Sequence, residues 1–289
     1  MAIGRSTTGV LDASLNTIAA SARSRREYDS VVPQLMDRVD LDANTGTSWR
    51  EILFEQLNAQ AVTEETVLDN PQQFADSALT ITPQLVQIQT FISDKVRRNL
   101  SSKALAQMGK LAGEAMMRKR DEDMLTALDG STQIGTANTP VTSGDVASAR
   151  YLITSNATEP GPMPVSGVFH GFCIKDFYDE LVGGLGTYPV PEGATATVFK
   201  GGFNLPICNV TIHEDGNIAI DASDDAKNFV FSKSAWVLVN GMTLRTELRR
   251  EPHIAGGGDS LFMTDEYAAA ERSAGNWSRE VIGDATAPS

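Results

Sequence analysis

Formal charge reverses at the point where an alternating strand pattern runs directly into a long helical one. From Val31 to Asp94 the chain carries ten acidic and two basic side chains; from Lys95 to Arg120 it carries eight basic and one acidic. The junction, Asn70 to Ala104 (NPQQFADSALTITPQLVQIQTFISDKVRRNLSSKA), therefore joins a block of net charge −8 to one of +7. Blocks so opposed attract each other, in the same chain or in the next copy.

Within this junction, Ala78 to Gln89 (ALTITPQLVQIQ) alternates and is rich in β-branched residues, which predicts a strand with a bend or an edge position at Pro83. Ser93-Asp94 offers a helix cap, and Ser101-Ser102 restarts the helical pattern. From Leu105 onward Met108, Ala112, Ala115 and Met116 share one face, Met124 and Leu128 prolong it, and Gly130 is a suitable stop. A helix of about 25 residues is roughly 38 Å long, long enough to be the spine of a domain.

Upstream, Trp49, Ile52, Phe54, Leu57, Val62, Val67 and Leu68 make the stretch from Ser48 to Asn70 too apolar for a solvated loop. It reads as two extended runs about a turn at Asn58 to Ala61. A two-stranded ribbon is marginal alone in water, so it must lie against another surface, a neighbour's if not its own. Further upstream, Leu11, Leu15, Ile18 and Ala22 form a helical stripe too short to be stable undocked, with Arg23, Arg25 and Arg26 at the favourable end of its dipole.

After Gly130 a turn-rich stretch leads to a second lobe, and Ser143-Gly-Asp145 opens a helix that turns Val146, Ala149, Leu152 and Ile153 inward. A strand over Val165 to Ile174, a short helix from Lys175 to Leu181 stopped by Gly183-Gly184, and strands at Leu205 to His213 and Asn228 to Phe231 make an α+β lobe. Ser234 to Val239 reads as another short helix. Met242 to Arg250 and Leu261 to Tyr267 read as strands beside the spine, and Ala274 to Ser289 as a peripheral tail with little to pack.

Composition narrows the function. With 289 residues and 41% hydrophobic content the chain can bury a core, and a net charge of −13 argues against a nucleic-acid surface, which depends on Lys and Arg. No apolar run approaches the roughly 18 residues of a membrane span, and the first residues lack a signal-peptide core, so a soluble chain made in the cytoplasm is expected. Cys173 and Cys208, without metal-like spacing, read as buried small hydrophobes in a reducing compartment. His170, His213 and His253 are far apart and predict no metal site, and Gly183-Gly184-Leu-Gly186 is no dinucleotide fingerprint because no helix follows it. The belt Arg118-Lys-Arg120, Asp121-Glu-Asp123 reads either as a solvated face with i,i+4 pairs (Arg118 to Glu122, Lys119 to Asp123) or as a contact with a neighbouring subunit. Met108, Met116, Met117 and Met124 read as core filler. No catalytic residue, cofactor or metal is predicted.

The order of an N-terminal arm, an acidic extended segment, QQFADSALTITPQLVQIQTFISDKV and LAGEAMMRKRDEDMLTALDG resembles the major capsid proteins of tailed bacteriophages, the Hong Kong 97-type fold. GVFHGFCIKDFYDEL, GFNLPICNVTIHEDGN, FVFSKSAWVLV and LRTELRREP follow in that family's order. The resemblance implies an α+β capsid fold with an N-arm at 1–43, an extended loop at 44–81, a peripheral domain at 82–142 and 234–270, an axial domain at 143–233 and a C-terminal tail at 271–289. It implies hexamers and pentamers of the chain forming an icosahedral head around double-stranded DNA, assembled in the host cytoplasm, with separate scaffolding, portal and decoration or cement proteins and no membrane partner. The extended loop of that family lies across an adjacent subunit's peripheral domain. This suggests that Glu51, Glu55, Glu64 and Glu65 face Lys95, Arg97, Arg98 and Lys110 of another copy. Some members crosslink through a lysine in the extended loop. No lysine precedes Lys95 here, so assembly is expected to be non-covalent. An encapsulin-like nanocompartment shell is the alternative, although its families usually lack a long N-arm. A soluble α+β enzyme is the third reading, for which no acid, base or nucleophile stands at recognisable spacing.

Overall fold

The computed structural model describes residues 29–42, 46–55, 57, 75–99, 102–184, 206–254, 256–273 and 275–288. The helical stripe at Leu11 to Ala22, the turn at Asn58 to Ala61, Glu64, Glu65, Val62, Val67 and Leu68, and the glycines at 186, 201 and 202 lie outside the described residues.

The spine forms as the spacing predicts. After strand β4 (Gln84–Ser93), the Ser93 hydroxyl accepts the Val96 amide at 3.4 Å at the start of helix α2 (Asp94–Asn99), and α3 (Ser102–Leu128) follows with 27 residues. Ala112 and Met116 of α3 pack on Met263, Val86, Ile88 and Leu261 of the sheet beneath, while Met124, Leu125 and Leu128 enter the main core. Met117 is exposed, and Met108 lies outside the described side chains.

The sheet under the spine has the order β1-β9-β10-β4 and is built from β1 (Asp37–Asp40), which follows a single-turn helix α1 (Val32–Leu35), and from β4, β9 (Trp236–Glu251) and β10 (Gly258–Glu271). β9 is parallel to β1 and antiparallel to β10, and β10 is antiparallel to β4 along its length. The short helix expected at Ser234 to Val239 is instead one 3-10 turn, Lys233–Ala235, leading into β9. Trp236 to Val239 is a wholly buried run, which carries no period of its own, and pairing with β1 on one side and β10 on the other makes it a strand.

A second sheet, β5-β11-β8-β6-β7, carries the other lobe: β5 (Thr132–Ile134), β6 (Val165–Phe169), β7 (Val210–Glu214), β8 (Asp225–Ser232) and β11 (Ser278–Asp284). Helices α4 (Ser143–Thr154) and α5 (Gly171–Gly184) accompany it. Thr142 caps α4 in a capping box: its hydroxyl accepts the Asp145 amide at 3.3 Å and the Asp145 carboxylate accepts the Thr142 amide at 3.0 Å. Val146, Ala149 and Ile153 are buried as expected, but Leu152 is exposed. The strand expected through Ile174 ends at Phe169. Phe172 to Ile174 belong to α5, which buries Cys173 and Phe177 at helical spacing.

Two further expectations are overturned. The tail is not peripheral: β11 lies between β5 and β8, pairs with both, and buries Ser278 to Val281. Its sequence, SREVIGD, reads as polar because partners elsewhere in the chain make its burial tolerable; Glu280, for example, lies 3.8 Å from Lys227. Cys208 is exposed rather than buried. It sits with Asn209 at positive φ in a two-residue turn closed by bonds between Ile207 and Val210 of 3.0 and 2.8 Å, so its side chain is left outside.

Candidate assembly surface

The ribbon exists, with a different partner strand from the one expected. β2 (Trp49–Phe54) pairs antiparallel with β3 (Asp76–Ile81), in register from Trp49 opposite Ile81 to Phe54 opposite Asp76. Among the described residues β2 is paired by β3, while the second run expected at Val62 to Asn70 lies outside them. Thr82 and Pro83 then separate β3 from β4, so the one alternating run of the sequence serves two sheets.

The ribbon is fixed at one end and solvent-exposed at the other. At its base Ile81 packs with Val237 and Val239, joined by Trp49, Leu79, Val39 and Leu41. Beside them Arg272 reaches two elements at once: its Nε donates to Glu51 at 2.7 Å, and its Nη1 donates to Asp37 at 2.6 Å and to the Ser234 carbonyl at 3.1 Å. Toward the tip Ile52 and Phe54 are each 57% exposed and Leu57 59%. Leu53, on the opposite face, is exposed as well, so both faces of the tip present apolar surface. Contiguous surface of this kind marks an interaction site.

The basic residues gather where the other sheet ends. Lys95, Arg97 and Arg98 are exposed on the six-residue α2, which leaves the end of β4 beside the β9–β10 turn. Arg97 pairs with Asp259, and Arg250 forks onto Asp94 at 2.6 and 2.5 Å. The Arg250 guanidinium holds the Asp94 carboxyl below its ordinary range. The chain makes this turn through Gly257, at φ +101°, and Gly258, where a Cβ would stand 2.5 Å from the Ile92 carbonyl and strike the Phe91 ring. Asp94, read in the sequence only as part of a helix cap, and Arg250 and Asp259, which sequence reasoning did not single out, therefore set the geometry of this cluster; nothing in their local sequence shows that they meet, because they do so only through β4-β10-β9 pairing.

The predicted contact residues divide accordingly. Glu51 is paired within its own chain to Arg272, and Glu55 is exposed just past the end of β2. Lys110 stands 3.4 Å from Glu114 on the exposed side of α3. Among the described residues no ion pair joins Glu51 or Glu55 to Lys95, Arg97, Arg98 or Lys110 of the same chain. The charged belt of α3 is of mixed character. Arg118 to Glu122 and Lys119 to Asp123 pair along the helix at 3.4 and 2.6 Å, whereas Arg120 turns inward to Asp265 and Asn240 and Asp121 is buried.

Among the described residues no group of three or more His, Cys, Asp or Glu could hold a metal ion, and no helix is long and apolar enough to cross a membrane. His170 and His213 are each held below the ordinary imidazole range by burial, and burial pushes the Cys173 thiol up to about 11, which suits a packed thiol rather than a nucleophile.

No family model matches the chain, and no curated protein matches it. Solved structures do. The chain is similar to the capsid of the cyanophage P-SCSP1u (13% identity, 96% of this chain and 94% of that one, TM-score 0.67). It is similar to the head of Helicobacter pylori bacteriophage KHP40 (9% identity, 93% and 95%, TM-score 0.70). It is also similar to the SrpI encapsulin of Synechococcus elongatus (11% identity, 99% and 98%, TM-score 0.62). The likeness extends over nearly the whole length at TM-scores of 0.62 to 0.70, and the chain has the Hong Kong 97-like capsid fold.

Proposed function

We propose that this chain is the major capsid protein of a tailed bacteriophage, assembling through hexamers and pentamers into an icosahedral head that encloses double-stranded DNA. The observation that carries this reading is the ribbon: anchored by Ile81 and Arg272 at its base, it offers Ile52, Leu53, Phe54 and Leu57 to solvent in the single chain. Surface so exposed is removed from water when the ribbon lies on a neighbouring copy. In this reading 1–43 is the N-arm, 44–81 the extended loop, 82–142 with 234–270 the peripheral domain, 143–233 the axial domain and 271–289 the C-terminal segment, whose strand β11 completes the axial sheet.

Ribbon and basic cluster are proposed to meet between copies, with Glu51, Glu55, Glu64 and Glu65 facing Lys95, Arg97, Arg98 and Lys110. Since Glu51 and Arg97 have partners in their own chain, Glu55, Lys95 and Arg98 carry most of the attraction. Such pairs set orientation and register more than affinity. The shell is held without the extended-loop lysine crosslink, for which no lysine is present before Lys95. Its wall encloses DNA without reading sequence, consistent with a net charge of −13. Scaffolding, portal and decoration proteins are separate chains, the protein's place is the virion, assembled in the host cytoplasm, and it catalyses no reaction.

A second reading, an encapsulin-like compartment, is favoured by one observation: the SrpI encapsulin aligns with 99% of this chain. Electron microscopy of the purified full-length protein tests both. Closed shells are expected, DNA-filled when recovered from phage particles and holding an enzyme in the alternative. A small soluble oligomer that forms no shell at high concentration overturns both.

A further inference from the structure

Two carboxyl groups meet in the interior where three separate parts of the chain converge. Asp121, on α3, is 0% exposed, and Asp215, directly after β7, is 1% exposed. Asp121 is saturated with donors. Its Oδ1 accepts the Ser30 hydroxyl at 3.2 Å and the amides of Val31 and Val32 at 3.1 and 3.0 Å, and its Oδ2 accepts the Asn217 side-chain amide at 2.8 Å. Asp215 has fewer, all from Asn217: its Oδ1 accepts the Asn217 backbone amide at 2.9 Å and the Asn217 side chain also reaches its carboxyl, while its Oδ2 is fully buried without a donor among the described residues. Asn217 holds the two carboxyls together, its backbone amide on Asp215 and its side-chain amide on Asp121, and they lie within hydrogen-bond reach of each other. Two carboxylate oxygens make such a contact only with a proton between them. Asp121 already holds four N–H and O–H donors, so the shared proton belongs on Asp215, whose O–H donates to Asp121.

We propose that Asp121 and Asp215 form a proton-dependent latch, in which one shared proton fastens the segment entering at Ser30 and the turn after β7 to the spine helix, and in which loss of that proton opens the junction. The surroundings leave the pair to itself. On the spine the next side chain, Glu122, lines a cavity of about 320 Å³ with Asn217. Lys227, which lines the same cavity from β8, is occupied by Asp129 and Glu280. From the β7 side Glu214 faces Gly171 and acts on His170, His213 is half-buried, and Asp29 of the entering segment is exposed.

Burial and the Asp121 charge push the Asp215 carboxyl up to about 8. A folded-state value raised above the unfolded one, ~3.9, means that the latch contributes fully below pH ~4 and that its contribution is lost as pH rises to about 8. This inference concerns the single chain and stands whether or not the chain forms a shell.

Hydrogen exchange of the full-length protein tests it at the amides of Val31 and Val32, which donate to Asp121. Corrected for the intrinsic effect of pH, exchange is expected to rise roughly a hundredfold between about pH 6 and about pH 9 in the wild type. It should stay level in Asp215→Asn, whose amide donates permanently to Asp121. Equal pH profiles for the two proteins overturn the latch. Should the variant fail to fold, infrared spectra of the wild type labelled with isotopic aspartate decide: a protonated aspartic C=O band that disappears around pH 8 is expected, and its absence at neutral pH overturns the proposal.

Discussion

Arg272 bears directly on the fold, because one guanidinium at the end of β10 ties it to the ribbon through Glu51 and to β1 through Asp37. Its side chain is only one-fifth exposed, and truncation leaves the Glu51 and Asp37 carboxylates without this cation. Charge-assisted bonds of this kind contribute about 1.5–3 kcal/mol each where they are shielded, and the partial exposure of Glu51 and Asp37 places Arg272→Met near the lower figure in total, at about 2 kcal/mol. Denaturant unfolding of the unassembled protein measures this. Arg272→Lys should recover about half, since an ammonium lacks the planar fork that reaches both partners. Nothing in AAAERSAG reveals this role, and the same holds for Asp94, Arg250 and Asp259. Side chains that matter through contacts hundreds of positions apart leave no local pattern, whereas the Thr142 capping box and the i,i+4 pairs of α3 are local and can be read directly.

At the level of elements, what was legible depended on whether one period controlled the segment. The spine helix, the bend at Pro83 and the helix opened near Ser143 show their period in their own residues. Trp236 to Val239 and Phe172 to Ile174 are short continuous apolar runs that fit strand or helix equally, and only long-range pairing decides between them. β11 was hidden for the opposite reason, since it buries polar residues that find partners only in the folded chain. Its position predicts a severe effect: ending the chain at Gly275 removes the strand between β5 and β8 and uncovers Phe229, Phe231 and Val141, and the protein is expected to lose cooperative unfolding and be recovered as aggregate. A soluble truncated protein with a sharp thermal transition would contradict the placement of β11. The ribbon tip behaves differently. Ile52→Ser with Phe54→Ser removes apolar side chains already more than half exposed, so the unassembled chain should keep its stability to about 0.5 kcal/mol while the yield of shells falls.

At the scale of the whole molecule, the opposed charge blocks are matched only in part within one chain. Within one chain the structure satisfies part of each block locally, Glu51 by Arg272, Arg97 by Asp259, Lys110 by Glu114, and leaves Glu55, Lys95 and Arg98 exposed. Reversing Lys95 and Arg98 to Glu therefore tests attraction between copies with little disturbance inside the chain. The variant should unfold within about 0.5 kcal/mol of the wild type, because neither side chain is buried. Assembly, followed by light scattering, should slow at least tenfold near 0.15 M salt and approach the wild-type rate as salt rises toward 1 M, where the screening length drops from about 8 Å to about 3 Å. A compensating reversal of Glu55, Glu64 and Glu65 to Lys in the same chain should restore assembly if these residues meet the basic cluster of a neighbour. Rescue separates complementarity from a general change in net charge: the six-unit shift it adds would do nothing useful if the two surfaces never touched. Unchanged assembly of the Lys95, Arg98 variant would show that the basic helix is simply solvated, and the ribbon would then have to be held by its apolar tip alone.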